Sequence, residues 1–172
     1  TYMDKIKLGF VPTRRSIFSA PDAIKYRGLT ADRLREIGVE IVDIDDINDE
    51  GLLFDDSHIA PIVEQIRAEG VDGIMLCHAN FGTEYVCARL ARELGLPVLL
   101  WGPRDERPEP DGTRLRDSQC GLFATGKVLR RFQVPFTYMT NCRLTDPEFE
   151  RGVLDFLAVC NVVKTFKHTR IL

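Results

Sequence analysis

The chain has 172 residues, 44% of them hydrophobic, which suits one domain with a sizeable core. Its 23 basic and 26 acidic residues leave a net charge of −3, which argues against a nucleic-acid surface, since that needs a concentrated basic face. No run of about 18 apolar residues is present to span a membrane, and the first ten residues lack the apolar stretch of a secretion signal.

Residues 6–11 are a short apolar run closed by Pro12 and predict a first strand. Ser19 and Asp22 fit a capping box with Pro21 in the first turn. The helix they open is expected to bury Ile24, Leu29, Leu34 and Ile37, to break near Gly28 and to stop at Gly38. Residues 39–44 predict a second strand, followed by an acidic turn. A second helix starts at Asp55 or Ser57, carries Ile59, Ile62, Val63 and Ile66 on one face, and ends at Gly70. Residues 71–77 predict a third strand. Thr83 reads as the N-cap of a helix that uses Val86, Leu90 and Leu94 and closes at Gly95. Residues 97–101 are nearly all apolar and predict a central fourth strand. Residues 102–117 are polar, hold three prolines and predict a long exposed loop. A fourth helix is expected over residues 118–132 and a fifth strand over 135–140. Thr145 and Glu148 suggest a second capping box, opening a long helix with Val153, Phe156, Leu157, Cys160, Val163 and Phe166 turned inward.

Apolar strands alternating with amphipathic helices imply a doubly wound α/β fold. The expectation is a flavodoxin-like or Rossmann-like, mostly parallel five-stranded sheet with helices on both faces, plus a long C-terminal helix, all in one domain. The five cysteines are odd in number and include no CxxC pair. They read as buried thiols of a reducing, cytoplasmic setting rather than a disulfide framework or zinc site. His58, His78 and His168 lie far apart, without metal-ligand spacing.

The stretch GLFATGKV, residues 121–128, matches G-x-x-x-x-G-K except for a final Ser or Thr. A phosphate loop lies between a strand and a helix, and its hydroxyl binds Mg2+. Here no strand precedes the stretch, Val128 replaces the hydroxyl, and Leu122 and Phe123 would face the phosphate. A helix with Leu122, Leu129 and Phe132 on one face fits better. Lys127, Arg130 and Arg131 then lie near its C-terminal end, and Gly121 and Gly126 permit close approach.

Five-strand chains of this kind commonly take the order 2-1-3-4-5 and bind ligands where strands 1 and 3 diverge, at their carboxyl ends. That selects the loops after strands 1 and 3, with the loop after strand 4 beside them. Arg14, Arg15, His78, Asn80, Phe81, Glu84 and Trp101 are the candidate substrate-binding residues. Aromatic faces stack on sugar C–H surfaces, while Asn and Arg bind hydroxyls or phosphate. Six of the seven have a structural alternative: solvated charge for the arginines, packing for Phe81 and Trp101, a fixed hydrogen bond for His78, and helix-end charge for Glu84. Asp43, Asp45, Asp46 and Asp49 do not make a receiver domain, because Pro12, Thr13, His78 and Thr140 occupy the positions its acids and lysine need. No nucleophile–base pair or carboxylate dyad is visible, so no catalytic residue is assigned.

The first strand with residues 9–14, Phe81-Gly-Thr-Glu84, and above all DSQCGLFATGKVLR at residues 117–130 resemble the N-terminal domain of the L-fucose/L-arabinose isomerase family. The resemblance runs from about residue 6 to the end and implies aldose–ketose interconversion on a divalent metal, commonly Mn2+. It also implies that the Glu, Asp and His ligands lie in later domains, so this chain supplies no metal ligand or cofactor and is inactive alone. Relatives are hexameric, with the N-terminal domain covering a neighbour's active site. A homo-oligomer is therefore implied, with Arg14 and the Phe81 loop touching sugar in trans, and neither nucleic acid nor membrane as a partner. Two alternatives remain open: a non-enzymatic sugar-binding lobe of the periplasmic-binding-protein type, and a flavodoxin-like cofactor module.

Overall fold

The computed structural model describes residues 5–169. Five strands form one all-parallel sheet in the order β2-β1-β3-β4-β5. They are β1 (Lys7–Thr13), β2 (Glu40–Asp43), β3 (Gly73–His78), β4 (Val98–Trp101) and β5 (Thr137–Tyr138). Five helices connect and cover them: α1 (Ala20–Glu36), α2 (Ile59–Ala68), α3 (Glu84–Leu94), α4 (Ser118–Arg131) and α5 (Pro147–His168).

Strand alternation divides the core. Ile74 and Leu76 of β3, with Val11, Val98 and Leu100, pack beneath α2, α3 and α4. Met75 and Cys77, with Phe10, Leu99 and Trp101, pack beneath α1 and α5. A sheet buried on both faces explains why β1, β3 and β4 read as continuous apolar runs. The helix ends follow the expected chemistry at Ser19, Gly38, Gly70 and Gly95. Ser19 Oγ accepts from the Asp22 amide at 3.3 Å, and Gly95 ends α3 at φ +62, where a side chain would be strained.

Several expectations are corrected. The first helix shows no break at Gly28, and it buries Ala23, Thr30, Ala31 and Leu34, while Ile24 and Leu29 are exposed. The inward face carries Ala23, Thr30, Ala31 and Leu34, and Ile24 and Leu29 fall outside it. The second capping box does not form: the N-cap is Asp146, whose carboxylate accepts instead from the Arg143 amide at 2.8 Å. The long helix buries Phe149, Val153, Phe156 and Cys160, but Phe166 is 79% exposed. Its 22 residues extend about 33 Å, farther than strands of a few residues can cover. The fifth strand is only two residues long and exposed. Cys120 is exposed, whereas Cys77, Cys87, Cys142 and Cys160 are buried free thiols. Gly126 offers ordinary packing, with a methyl there 3.5 Å from Phe136, so only Gly121 of the pair marks a close approach.

Candidate functional site

The strand order places the divergence point between β1 and β3, and their register sets Thr13 opposite His78 at the carboxyl end. Two loops leave from here, and one residue joins them. The Oδ1 of buried Asn80 accepts from the Arg15 amide at 2.7 Å and the Gly82 amide at 3.2 Å. Its Nδ2 donates to the Arg15 and Ser19 carbonyls, each at 3.3 Å. Thr13 Oγ1 accepts from the Thr83 amide at 3.2 Å, and Thr83 Oγ1 donates to the Arg14 carbonyl at 2.7 Å. Thr83 thus holds the N-cap position predicted for it, but spends its hydroxyl between loops instead of on its own helix.

Both arginines stand above this seam with their charges already matched. Arg15 pairs with Glu84 and lies 4.7 Å above the Phe81 ring, which stacks on Phe18 at 5.2 Å. Arg14 makes a two-point pair with Glu50, Nη2 to Oε1 at 3.1 Å, and lies 3.8 Å above Phe54. Glu50 comes from the turn after β2, whose Leu53 donates to the Pro12 carbonyl at 2.8 Å. The result is a partly exposed rim of fixed, oriented donors and acceptors beside aromatic faces, with little net charge.

The other candidates sit beneath that rim. His78 is fully buried, its Nδ1 2.8 Å from the Phe81 carbonyl. A carbonyl only accepts, so Nδ1 carries the proton and Nε2 is a bare acceptor, without a partner among the described residues. Burial lowers its pKa to about 4, keeping the imidazole neutral. Gly82 makes room for it: its φ is +77, and a methyl there would stand 2.6 Å from His78 Nδ1. Trp101 is also fully buried, but under the opposite face of the sheet, 4.7 Å from Phe149, with Nε1 donating to the Thr140 carbonyl at 3.1 Å. The structure therefore brings Arg14, Arg15, Asn80, Phe81 and Glu84 together, with His78 below them, and sets Trp101 apart.

Arg116 is the residue that sequence reasoning missed. It was absorbed into the exposed loop, yet its side chain is fully buried. Its guanidinium donates to the carbonyls of Ala79 at 3.4 Å, Pro103 at 3.1 Å and Arg104 at 2.6 Å, and to Glu106 at 3.2 Å. The Tyr26 ring lies 3.7 Å away. Burial opposes ionisation of Glu106, but the hydrogen bond from Tyr26 and the Arg116 charge hold its carboxyl below the usual range. Asp105 caps α4 by accepting from the Ser118 amide at 2.8 Å. The long loop is thereby fastened to the end of β3. Nothing in one sequence separates such an arginine from its exposed neighbours Arg104, Arg107 and Arg114.

The stretch that resembles a phosphate loop is helical and serves this same region. A methyl group at Gly121 would stand 1.8 Å from the Phe81 carbonyl oxygen, so the α4 backbone lies directly against the β3 loop. Among the described residues, no three His, Cys, Asp or Glu side chains are grouped to hold a metal ion, so these donors do not fit a Mn2+ centre. Burial pushes the Cys77 and Cys87 thiols up to about 12, which makes them poor nucleophiles. No described helix is long and apolar enough to cross a membrane.

A profile of the family described as fucose/sulfoquinovose isomerase, N-terminal domain, matches residues 9–167. No curated protein matches the chain. Among solved structures, the glycosyltransferase SnogD from Streptomyces nogalater aligns at 14% identity and a TM-score of 0.36, over 86% of this chain and 49% of its own. The chain thus spans about half the length of that protein. An ABC transporter solute-binding protein from Bacillus halodurans, with bound myo-inositol, aligns at 9% identity and a TM-score of 0.36, over 96% of this chain and 72% of its own. Neither alignment is close enough to carry an argument.

Proposed function

The chain belongs to the fucose/sulfoquinovose isomerase family, as an N-terminal domain, and from this premise we propose that it walls a sugar site and helps assemble the enzyme without turning sugar over by itself. The family match carries the reading, and the chemistry of the β1–β3 rim supports it. Paired carboxylate and guanidinium groups can exchange hydrogen bonds with hydroxyls while the Phe81 and Phe54 faces take C–H surfaces. Arg14, Arg15, Phe81 and Glu84 are the proposed contacts, with Asn80 and His78 holding them in place from below. Trp101 acts in packing.

The isomerase reaction calls for a divalent metal, commonly Mn2+, to hold sugar oxygens. The donors described above do not fit it, so its ligands, and the carboxylates that move the proton, are assigned to parts of the enzyme outside this domain. The sugar-binding-lobe alternative has no observation in its favour.

Two measurements test the reading. Titration of the labelled chain with L-fucose or L-arabinose is expected to shift the amide resonances of residues 14–16 and 80–84. Unmoved resonances in both loops would remove the proposed wall. With Mn2+ added, ketose formation is expected to stay at the level of a protein-free blank. Robust turnover by the chain alone would show that the chemistry resides here after all.

A further inference from the structure

In a parallel sheet the helices that follow the strands begin at the carboxyl edge, with the positive ends of their dipoles turned toward it. Such ends commonly receive anions. After β1, β2, β3 and β4 each is instead met by a carboxylate of this chain. Asp22 lies in the first turn of α1. Asp55 caps the short turn leading into α2 and accepts from the Ser57 amide at 2.9 Å. Glu84 is the first residue of α3. The two oxygens of Asp105 accept from the Ser118 and Gln119 amides of α4, at 2.8 and 3.2 Å.

The side-chain cations of the rim follow the same rule. Arg14 is matched by Glu50 and Arg15 by Glu84. Glu50 is held for this purpose: Asn48 Oδ1 accepts from the Glu50 and Gly51 amides at 3.0 and 2.8 Å and fixes the turn that carries it. Two guanidinium groups and two carboxylates thus face the mouth, with no charge left over.

The two sugars in the family description differ in exactly this respect. Fucose is uncharged, whereas sulfoquinovose carries a sulfonate that is ionised across the ordinary pH range. A hydroxyl both donates and accepts, so it can bridge a carboxylate and a guanidinium. A sulfonate only accepts. It finds no donor on Glu50 or Glu84, must compete with them for the arginines, and meets like charge in doing so.

We propose that Glu50 and Glu84 are specificity determinants: they admit an uncharged sugar to the rim and turn away one that carries a sulfonate. The proposal rests on the rim being a sugar contact, and adds the class of sugar it takes. Glu50 enters as a selecting residue although it lies outside the contacts named above.

Three sugars test it, with the amides of residues 14–16 and 80–84 as the readout: L-fucose, quinovose and sulfoquinovose. The last two differ only by the sulfonate. Wild type is expected to bind sulfoquinovose at least about tenfold more weakly than quinovose. Glu50→Gln and Glu84→Gln keep the side-chain shape and release the arginines from their carboxylates. Each is expected to move the ratio of the two affinities at least about threefold toward sulfoquinovose, and the double variant at least about tenfold. A purely structural role would weaken both sugars together and leave the ratio where it was, which would overturn the proposal. The amide spectrum checks folding, and if a variant does not fold the wild-type comparison still decides. Sulfoquinovose bound by wild type as tightly as quinovose, while L-fucose moves both loops, would overturn the selection and leave the sugar reading intact. Loops that respond to none of the three sugars would remove the wall itself and the selection with it.

Discussion

Asn80, Arg116 and His78 illustrate three ways of burying a polar side chain. Asn80 and Arg116 replace water with backbone groups. Replacing Asn80 with Leu leaves the Arg15 and Gly82 amides without their acceptor and is expected to cost roughly 2–3 kcal/mol in urea unfolding. Arg116→Met strips the donor from three carbonyls, two of them buried, with an expected loss of roughly 3 kcal/mol. A loss below about 0.5 kcal/mol, the usual effect of a surface change, would show that the loop does not need its clamp. His78 instead accepts a shifted titration. Its folded pKa is about 4, against an ordinary 6.5, because of burial. As pH falls below 6.5 the unfolded chain takes up the proton first. The stabilisation is therefore whole above that value and is lost as pH approaches 4, by an amount on the order of 3 kcal/mol. Wild type is expected to lose more stability than His78→Asn across this interval. Equal pH dependence in the two proteins would contradict the burial argument.

Among the elements, α4 is the least forgiving. Gly121→Ala forces its backbone away from the Phe81 carbonyl and is expected to cost roughly 1–3 kcal/mol by overpacking. Gly126→Ala meets only ordinary contact and serves as the control. A pair of equally stable variants would mean that the helix is not wedged there. Most elements were legible in the sequence because strand runs, helix periods and end signals agreed, as at Ser19 and Gly95. The failures have particular causes. Ile24 and Leu29 looked interior because periodicity rewards size, whereas the inward face of α1 carries Ala23 and Ala31. Phe166 looked interior because the pattern cannot register where the sheet ends. The meeting of the loops after β1 and β3 was legible, since strand order fixes it. Its hydrogen-bond wiring was not. Asn80, Thr83 and Glu50 act through partners 65, 69 and 36 positions away, and no local pattern encodes such pairings.

Across the whole molecule, stability should be graded from the centre of the sheet to its edges. β1, β3 and β4 are buried along nearly all their length, while β5 is exposed. Native-state hydrogen exchange should therefore be slowest in the central three strands and fastest at Thr137 and Tyr138. Comparable protection in β5 would mean that its outer edge is covered in solution, and loss of that protection on dilution would point to a second molecule as the cover.

The Phe81 carbonyl has two neighbours that cannot both be moved independently. The proton of His78 reaches it from one direction, and the bare backbone at Gly121 presses on it from another. A side chain at Gly121 would collide with the carbonyl that holds the imidazole. Phe123 rides on the same helix two residues along and faces a groove beside β5. One helix thus lines the groove at the margin of the sheet and abuts, at its mouth, the loop that carries Phe81 and Glu84.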